Sequence, residues 1–198
     1  MKRSYGIWLI ALAVSAFTAS SVEAQITANG PYYATPSWDQ QLPASTRFIV
    51  LSNWGNAAVL DRETGLIWER SPDGTRVTRG GAQSQCNRKA VGNRLGWRLP
   101  TLQELASLID PSLAPNFPPL PSDPIPLPAG HPFTNVQKFF YWSATFDSPS
   151  VTGVEQTWVV GFDDGRVTFA TSGSGGTGNV WCVRGGQGVD AQPSGLGG

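Results

Sequence analysis

The sequence has 198 residues, 40% of them hydrophobic and 14% charged, with a formal net charge of zero. That length is room for one ordinary domain with tails, and eight Trp and nine Phe at so low a charge argue for a packed core rather than a disordered chain. The 23 Gly and 16 Pro exclude a helical bundle or coiled coil, and the charge balance predicts no nucleic-acid partner.

Lys2 and Arg3 precede an apolar run, Ile7–Phe17, that is too short to span a bilayer, and Val22-Glu23-Ala24 has the small residues of a cleavage site. Residues 1–24 are therefore expected to be a signal peptide. The chain is expected to be periplasmic or secreted, with no membrane span after cleavage near Ala24. No Cys follows the run, so no lipoprotein anchor is expected.

Residues 25–45 are polar and turn-rich and form an N-terminal arm, which Tyr32, Tyr33 and Trp38 could tack down. The domain proper is placed at residues 46–184. Arg47–Leu51 (Arg-Phe-Ile-Val-Leu) reads as a strand. Ala57–Leu60 and Leu66–Glu69 flank Asp61-Arg62-Glu63-Thr64-Gly65, a hairpin connection with Gly where positive φ is easy. Ala82, Cys86 and Ala90 recur every four residues, which predicts a short helix stopped by Gly92. Thr101 and Glu104 have the capping-box spacing. Leu102, Leu105, Ala106 and Ile109 give a second helix its apolar stripe, and Asp110-Pro111 is expected to end it.

Nine of the sixteen prolines fall between Pro111 and Pro132, so residues 111–135 are expected to be an extended surface loop lying against the domain. Phe139–Thr145 reads as a central strand. Gln156–Phe162 and Arg166–Ala170 read as a hairpin around Asp163-Asp164-Gly165. Thr171–Asn179 is Gly/Ser-rich, Val180–Arg184 is the last strand, and residues 185–198 are a Gly-rich tail expected to be flexible.

Cys86 and Cys182 are an even pair in an exported chain, which reads as one disulfide; a pair of free thiols is the alternative. Charge is unevenly spread. Residues 62–98 carry eight basic residues against Glu63, Glu69 and Asp73, whereas the chain beyond Arg98 carries three basic and eight acidic residues. Solvated faces are the plain explanation of such runs.

The ordered motifs Thr64-Gly65-Leu66-Ile67-Trp68-Glu69, Cys86, Gly96-Trp97-Arg98-Leu99-Pro100-Thr101 leading to Glu104-Leu105, Tyr141-Trp142-Ser143-Ala144-Thr145, Trp158 with Phe162-Asp163-Asp164-Gly165, and Trp181-Cys182-Val183-Arg184 resemble the Lcl C-terminal domain family, also called the DUF1566 family. The resemblance implies an α+β domain of C-type-lectin-like fold. In it two short helices pack on antiparallel sheets, and a disulfide joins the first helix to the last strand. It is distantly similar to the formylglycine-generating enzyme fold, whose chemistry needs reactive cysteines. It also implies an adhesin-like role with a sulfated glycan as ligand, which is analogy of fold rather than evidence from a site.

The residues themselves name no catalytic group. The Glu-Pro-Asn, Gln-Pro-Asp and Trp-Asn-Asp triplets of calcium-dependent sugar binding are absent. No cofactor is expected. Calcium would have to come from Asp147, Glu155, Asp163 and Asp164, and Asp-Asp-Gly is more simply a hairpin turn. The single histidine, His131, is expected to be an exposed loop residue, and one His with two bridged Cys cannot make a zinc site. Trp97 and Leu99 are expected under the second helix, and Arg98 has no carboxylate that the sequence assigns to it. Five of the mature chain's Trp fall in the motifs as core, leaving Trp38 and Trp54 as candidates for exposure.

The expected function is that of an exported, non-catalytic binding domain for a glycan, possibly sulfated, or for an envelope or surface protein. A formylglycine-generating-like enzyme and a structural envelope component are the alternatives. Two binding surfaces compete. One is a loop surface of Asp147, Glu155, Asp163, Asp164 and Arg166. The other is an anion-binding face of Arg76, Arg79, Arg88, Lys89 and Arg94, because sulfates need clustered cations.

Overall fold

The computed structural model describes residues 42–114, 118–146, 156–171 and 175–186. The expected signal peptide, most of the expected N-terminal arm with Tyr32, Tyr33 and Trp38, Asp147, Glu155 and the expected tail beyond residue 186 lie outside the described residues.

The protein is an α+β fold of short helices and two antiparallel sheets. A helical turn α1 (Ala44–Arg47) leads into β1 (Phe48–Val50), followed by β2 (Ala58–Asp61), β3 (Ile67–Glu69), helix α2 (Arg79–Arg88), β4 (Trp97–Arg98) and helix α3 (Leu102–Ala106). After the Pro-rich segment come β5 (Phe140–Phe146), β6 (Gln156–Gly161), β7 (Val167–Thr171) and β8 (Val183–Arg184). One sheet has the order β1-β2-β3-β8-β4 and the other β5-β6-β7. The last strand thus enters between β3 and β4, pairing Trp68 with Val183 and Arg98 with Val183 on its two sides.

Strand periodicity divides the interior into two clusters, because successive side chains point to opposite faces. Val59, Tyr141, Val160, Trp181 and Val183 point into one cluster, which Leu105, Leu108 and Ile109 close from the α3 side. Their chain neighbours Ala58, Trp142, Val159 and Cys182 point into the other, with Ala82 and Cys86 of α2. The disulfide Cys86–Cys182 joins α2 to the residue before β8 across a Cα–Cα distance of 5.5 Å, and both cysteines are fully buried.

Each helix start has a local cause. The Thr78 hydroxyl accepts the Gly81 N–H at 3.3 Å and caps α2. At α3 the box closes in both directions: Thr101 Oγ1 accepts the Glu104 N–H at 3.2 Å, and Glu104 Oε2 accepts the Thr101 N–H at 2.8 Å. Beneath α1 lies a buried charge cluster. Arg47 donates from Nε and Nη2 to the two oxygens of Asp61 at 2.9 and 2.8 Å, sits 3.2 Å from Glu63 Oε2, and donates to the Ser107 carbonyl at 2.9 Å. One guanidinium thereby ties α1, the β2–β3 turn and the end of α3.

Several expectations need correction. Arg47 ends a helical turn and does not belong to the first strand. Helix α2 ends at Arg88 because Lys89 is extended, so Gly92 is not its stop. Gly92 instead adopts φ +60° in a separate turn, where a Cβ would come within 2.8 Å of Trp54. Helix α3 ends at Ala106, four residues before Asp110, and Pro111 opens a turn of its own. The Phe140–Phe146 strand is an edge of its sheet and β6 is the centre. The last strand is only two residues long. Trp97 and Leu99 pack with Ala82 and Cys86 of the first predicted helix, not under the second. Trp158 is half-buried against the exposed Phe169, so only four of the five motif tryptophans are core.

Within the Pro-rich segment, Leu127 and Phe133 are buried in the first cluster. The Asp110 N–H bonds to the Pro126 carbonyl and the Thr134 N–H to the Arg70 carbonyl, both at 2.9 Å. His131 is half-buried rather than exposed, stacked on Phe133 at 5.9 Å with its Nδ1 unpartnered among the described residues, and burial lowers its pKa.

Tyr141 gives a test of this packing. Burial pushes its hydroxyl up to about 12, partly opposed by the hydrogen bond it accepts from the Gln137 N–H at 2.8 Å. A raised pKa contributes stability that is complete below the unfolded value near 10 and is lost as pH rises through about 12. Urea midpoints measured from pH 9 to 12 should therefore fall by the equivalent of about 2–3 kcal/mol from this group. In Tyr141→Phe that part of the decline should vanish.

Candidate functional site

The two surfaces drawn from sequence fare differently in three dimensions. In the acidic loop, Asp163 and Asp164 form the β6–β7 turn. Asp164 Oδ1 accepts the Arg166 N–H at 2.9 Å and its Oδ2 lies 3.8 Å from Arg166 Nε, so this carboxylate holds its own turn. Asp147 and Glu155 lie outside the described residues, and among the described residues no three His, Cys, Asp or Glu side chains gather closely enough to hold a metal ion. Asp164→Ala should cost about 1 kcal/mol, the net worth of one such bond, in a urea titration. An unchanged midpoint would contradict this structural role.

The basic residues do not make one face. Arg79 is buried, donating to the Ala144 carbonyl at 3.1 Å with its guanidinium 3.4 Å from the centre of the Phe146 ring. Lys89 turns inward to Glu69, at 2.5 Å. Burial raises the Glu69 pKa and the Lys89 ammonium partly offsets it. Arg94 is exposed and stands with Arg184 over the Trp54 ring, each 5.5 Å from its centre. Arg88 is exposed on α2. Arg76 is exposed and rests over the Phe139 ring at 4.6 Å. Arg98, which the sequence left without a partner, is paired in two-pronged fashion with Glu104, both distances 2.7 Å, and also holds the Gly185 carbonyl.

Arg76 borders a pocket of about 210 Å³ lined also by Gly74, Gln137, Lys138, Phe139 and Asn179. Three chain segments build it. The stretch after β3 is held by the mutual Val77–Gly178 backbone pair, at 3.0 Å in both directions. The lead-in to β5 is held by the Tyr141 hydroxyl on the Gln137 N–H. Lys138 reaches sideways, its Nζ donating to the carbonyls of Pro121 and Asp123, and so ties the Pro-rich segment to the rim. Asn179 closes the third side. Its N–H donates to the Phe140 carbonyl at 3.0 Å and its carbonyl accepts the Trp142 N–H at 3.1 Å.

Of the pocket's residues only Arg76 was drawn from the sequence. Asn179 sits in a Gly/Ser-rich stretch that reads as a connector, and no local pattern marks it out. Lys138 and Phe139 precede an aromatic strand and read as its approach.

A family model described as the Lcl C-terminal domain matches residues 57–184, which include every residue of this pocket and both cysteines. No curated protein matches the chain.

Proposed function

This chain belongs to the Lcl C-terminal domain family, and from that premise we propose that it is an exported, non-catalytic binding domain of C-type-lectin-like fold that recognises a glycan or a protein at the cell surface or in the envelope. The observation that carries this reading is the pocket at Arg76. Arg47, Lys89 and Arg98 are each paired with a carboxylate, whereas Arg76 stands exposed on the pocket and makes no salt bridge among the described residues. Ligand sites are concave and largely pre-formed, with a few placed polar groups that fix the ligand's orientation. The non-catalytic reading has its own support, since the cysteines that a formylglycine-generating-like reaction would need are bonded to each other and buried.

Export is tested by expressing the chain with its own leader in a bacterium and sequencing the N-terminus of the product. A start at Gln25 is expected, and retention of Met1 would contradict it. Ligand class is tested on an array of glycans, sulfated chains included, with and without salt and a chelator. Binding through Arg76 should weaken with salt and in Arg76→Ala, and chelation should leave it unchanged. Binding abolished by the chelator would instead place the site at the Asp163–Asp164 turn.

A further inference from the structure

Asn179 is 1% exposed, both of its backbone groups are hydrogen-bonded, and yet among the described residues neither Oδ1 nor Nδ2 of its side chain has a partner. Leaving both ends of a buried amide unpaired is costly, and native proteins rarely do so without a reason. The side chain offers one acceptor and donors side by side. A secondary amide complements that pattern with its own N–H and C=O.

On the same pocket Arg76 makes no salt bridge among the described residues, and its planar fork matches a carboxylate. Lys138 adds positive charge at the rim while its ammonium is held by the carbonyls of Pro121 and Asp123. The pocket of about 210 Å³ therefore has a carboxylate receptor in Arg76 and, in a residue of its wall, the buried unpaired amide of Asn179. That is room for on the order of ten water molecules, the scale of one or two residues rather than a polymer segment. Its aromatic residue is already covered: the Phe139 ring stacks on Phe140 at 4.5 Å and carries the Arg76 guanidinium at 4.6 Å. A pyranose thus finds no aromatic face to stack on there.

We propose that this pocket binds the free carboxyl terminus of a peptide, with the terminal carboxylate on Arg76 and the last peptide amide on Asn179. Capture of a chain end in this way is a recurring recognition mode. The proposal rests on the binding-domain reading above and deepens it by naming the ligand class.

The test uses the purified protein and acetylated tetrapeptides randomised at the last two positions, prepared as free acids and as C-terminal amides, with affinity read by fluorescence anisotropy. The free acids should bind at least tenfold tighter than the amides, and Arg76→Gln should abolish the difference. Asn179→Ala should weaken the free acids at least tenfold while leaving the melting temperature unchanged or raised, since it removes an unpaired buried amide. Equal affinity for acid and amide, or full binding by Asn179→Ala, would overturn the proposal. Glycan binding that depends on Arg76, with no peptide bound, would overturn the peptide assignment and leave the binding-domain reading standing. Failure to bind either would overturn both.

Discussion

Reducing the Cys86–Cys182 bond is expected to lower the unfolding free energy by roughly 4 kcal/mol, because the bond closes a loop of about a hundred residues in the unfolded chain. The mechanism acts mainly on the unfolded state, which gains conformational freedom when the bond is cut. The native state adds a second contribution. Both cysteines belong to the second cluster, with Ala82, Trp97 and Trp142, where each packs as a small apolar group. Cys86→Ala with Cys182→Ala keeps the apolar surroundings and removes the link, so its loss should approach that of reduction. Urea unfolding followed by Trp fluorescence suits the measurement, since Trp68, Trp97, Trp142 and Trp181 are all buried. A loss below about 1 kcal/mol would mean that packing alone holds α2 against β8.

Arg47→Met should be comparably damaging, at about 3–5 kcal/mol, through the opposite mechanism. The substitution leaves Asp61 and Glu63 buried, at 0% and 3% exposure, without the guanidinium that pairs with both. It also frees the Ser107 carbonyl that Arg47 holds. An uncompensated buried carboxylate costs far more than a buried pair contributes. The matched variant that replaces Arg47, Asp61 and Glu63 together by apolar residues of similar volume should therefore recover most of the loss. If Arg47→Met does not fold, that triple variant still decides the matter. A triple variant as unstable as the single one would show that the cluster acts by specific bonding rather than by charge balance. Arg88→Ala, at an exposed position of α2, should stay within about 0.5 kcal/mol and calibrates the scale.

Features carried by near neighbours in the chain were legible in the sequence. The α3 capping box, the two hairpin turns and the strand that follows each are local chemistry, and they stand where residue type and spacing put them. The disulfide was legible because two cysteines allow only one pairing. Pairings across the fold were not legible. Nothing near Arg47 marks Asp61 as its partner rather than Glu63 alone, and nothing near Trp97 marks α2 as its neighbour rather than the adjacent α3. The basic run illustrates the same limit. Eight cations in one stretch read as a solvated face, but Arg79, Lys89 and Arg98 each found an internal acceptor once β3, β5 and α3 were brought together. Asn179 was the least legible, since its meaning lies in bonds that it does not make.

The central claim is that ligand recognition occurs at the Arg76–Asn179 pocket. It is tested most directly by recording ¹H–¹⁵N spectra of the labelled protein while titrating the glycan and peptide panels above. Shifts are expected at the amides of Gly74, Arg76, Lys138 and Phe139 and, most diagnostically, at the side-chain NH₂ of Asn179. Shifts confined to Asp163–Arg166, or bound ligand that leaves the Asn179 signal unmoved, would contradict it.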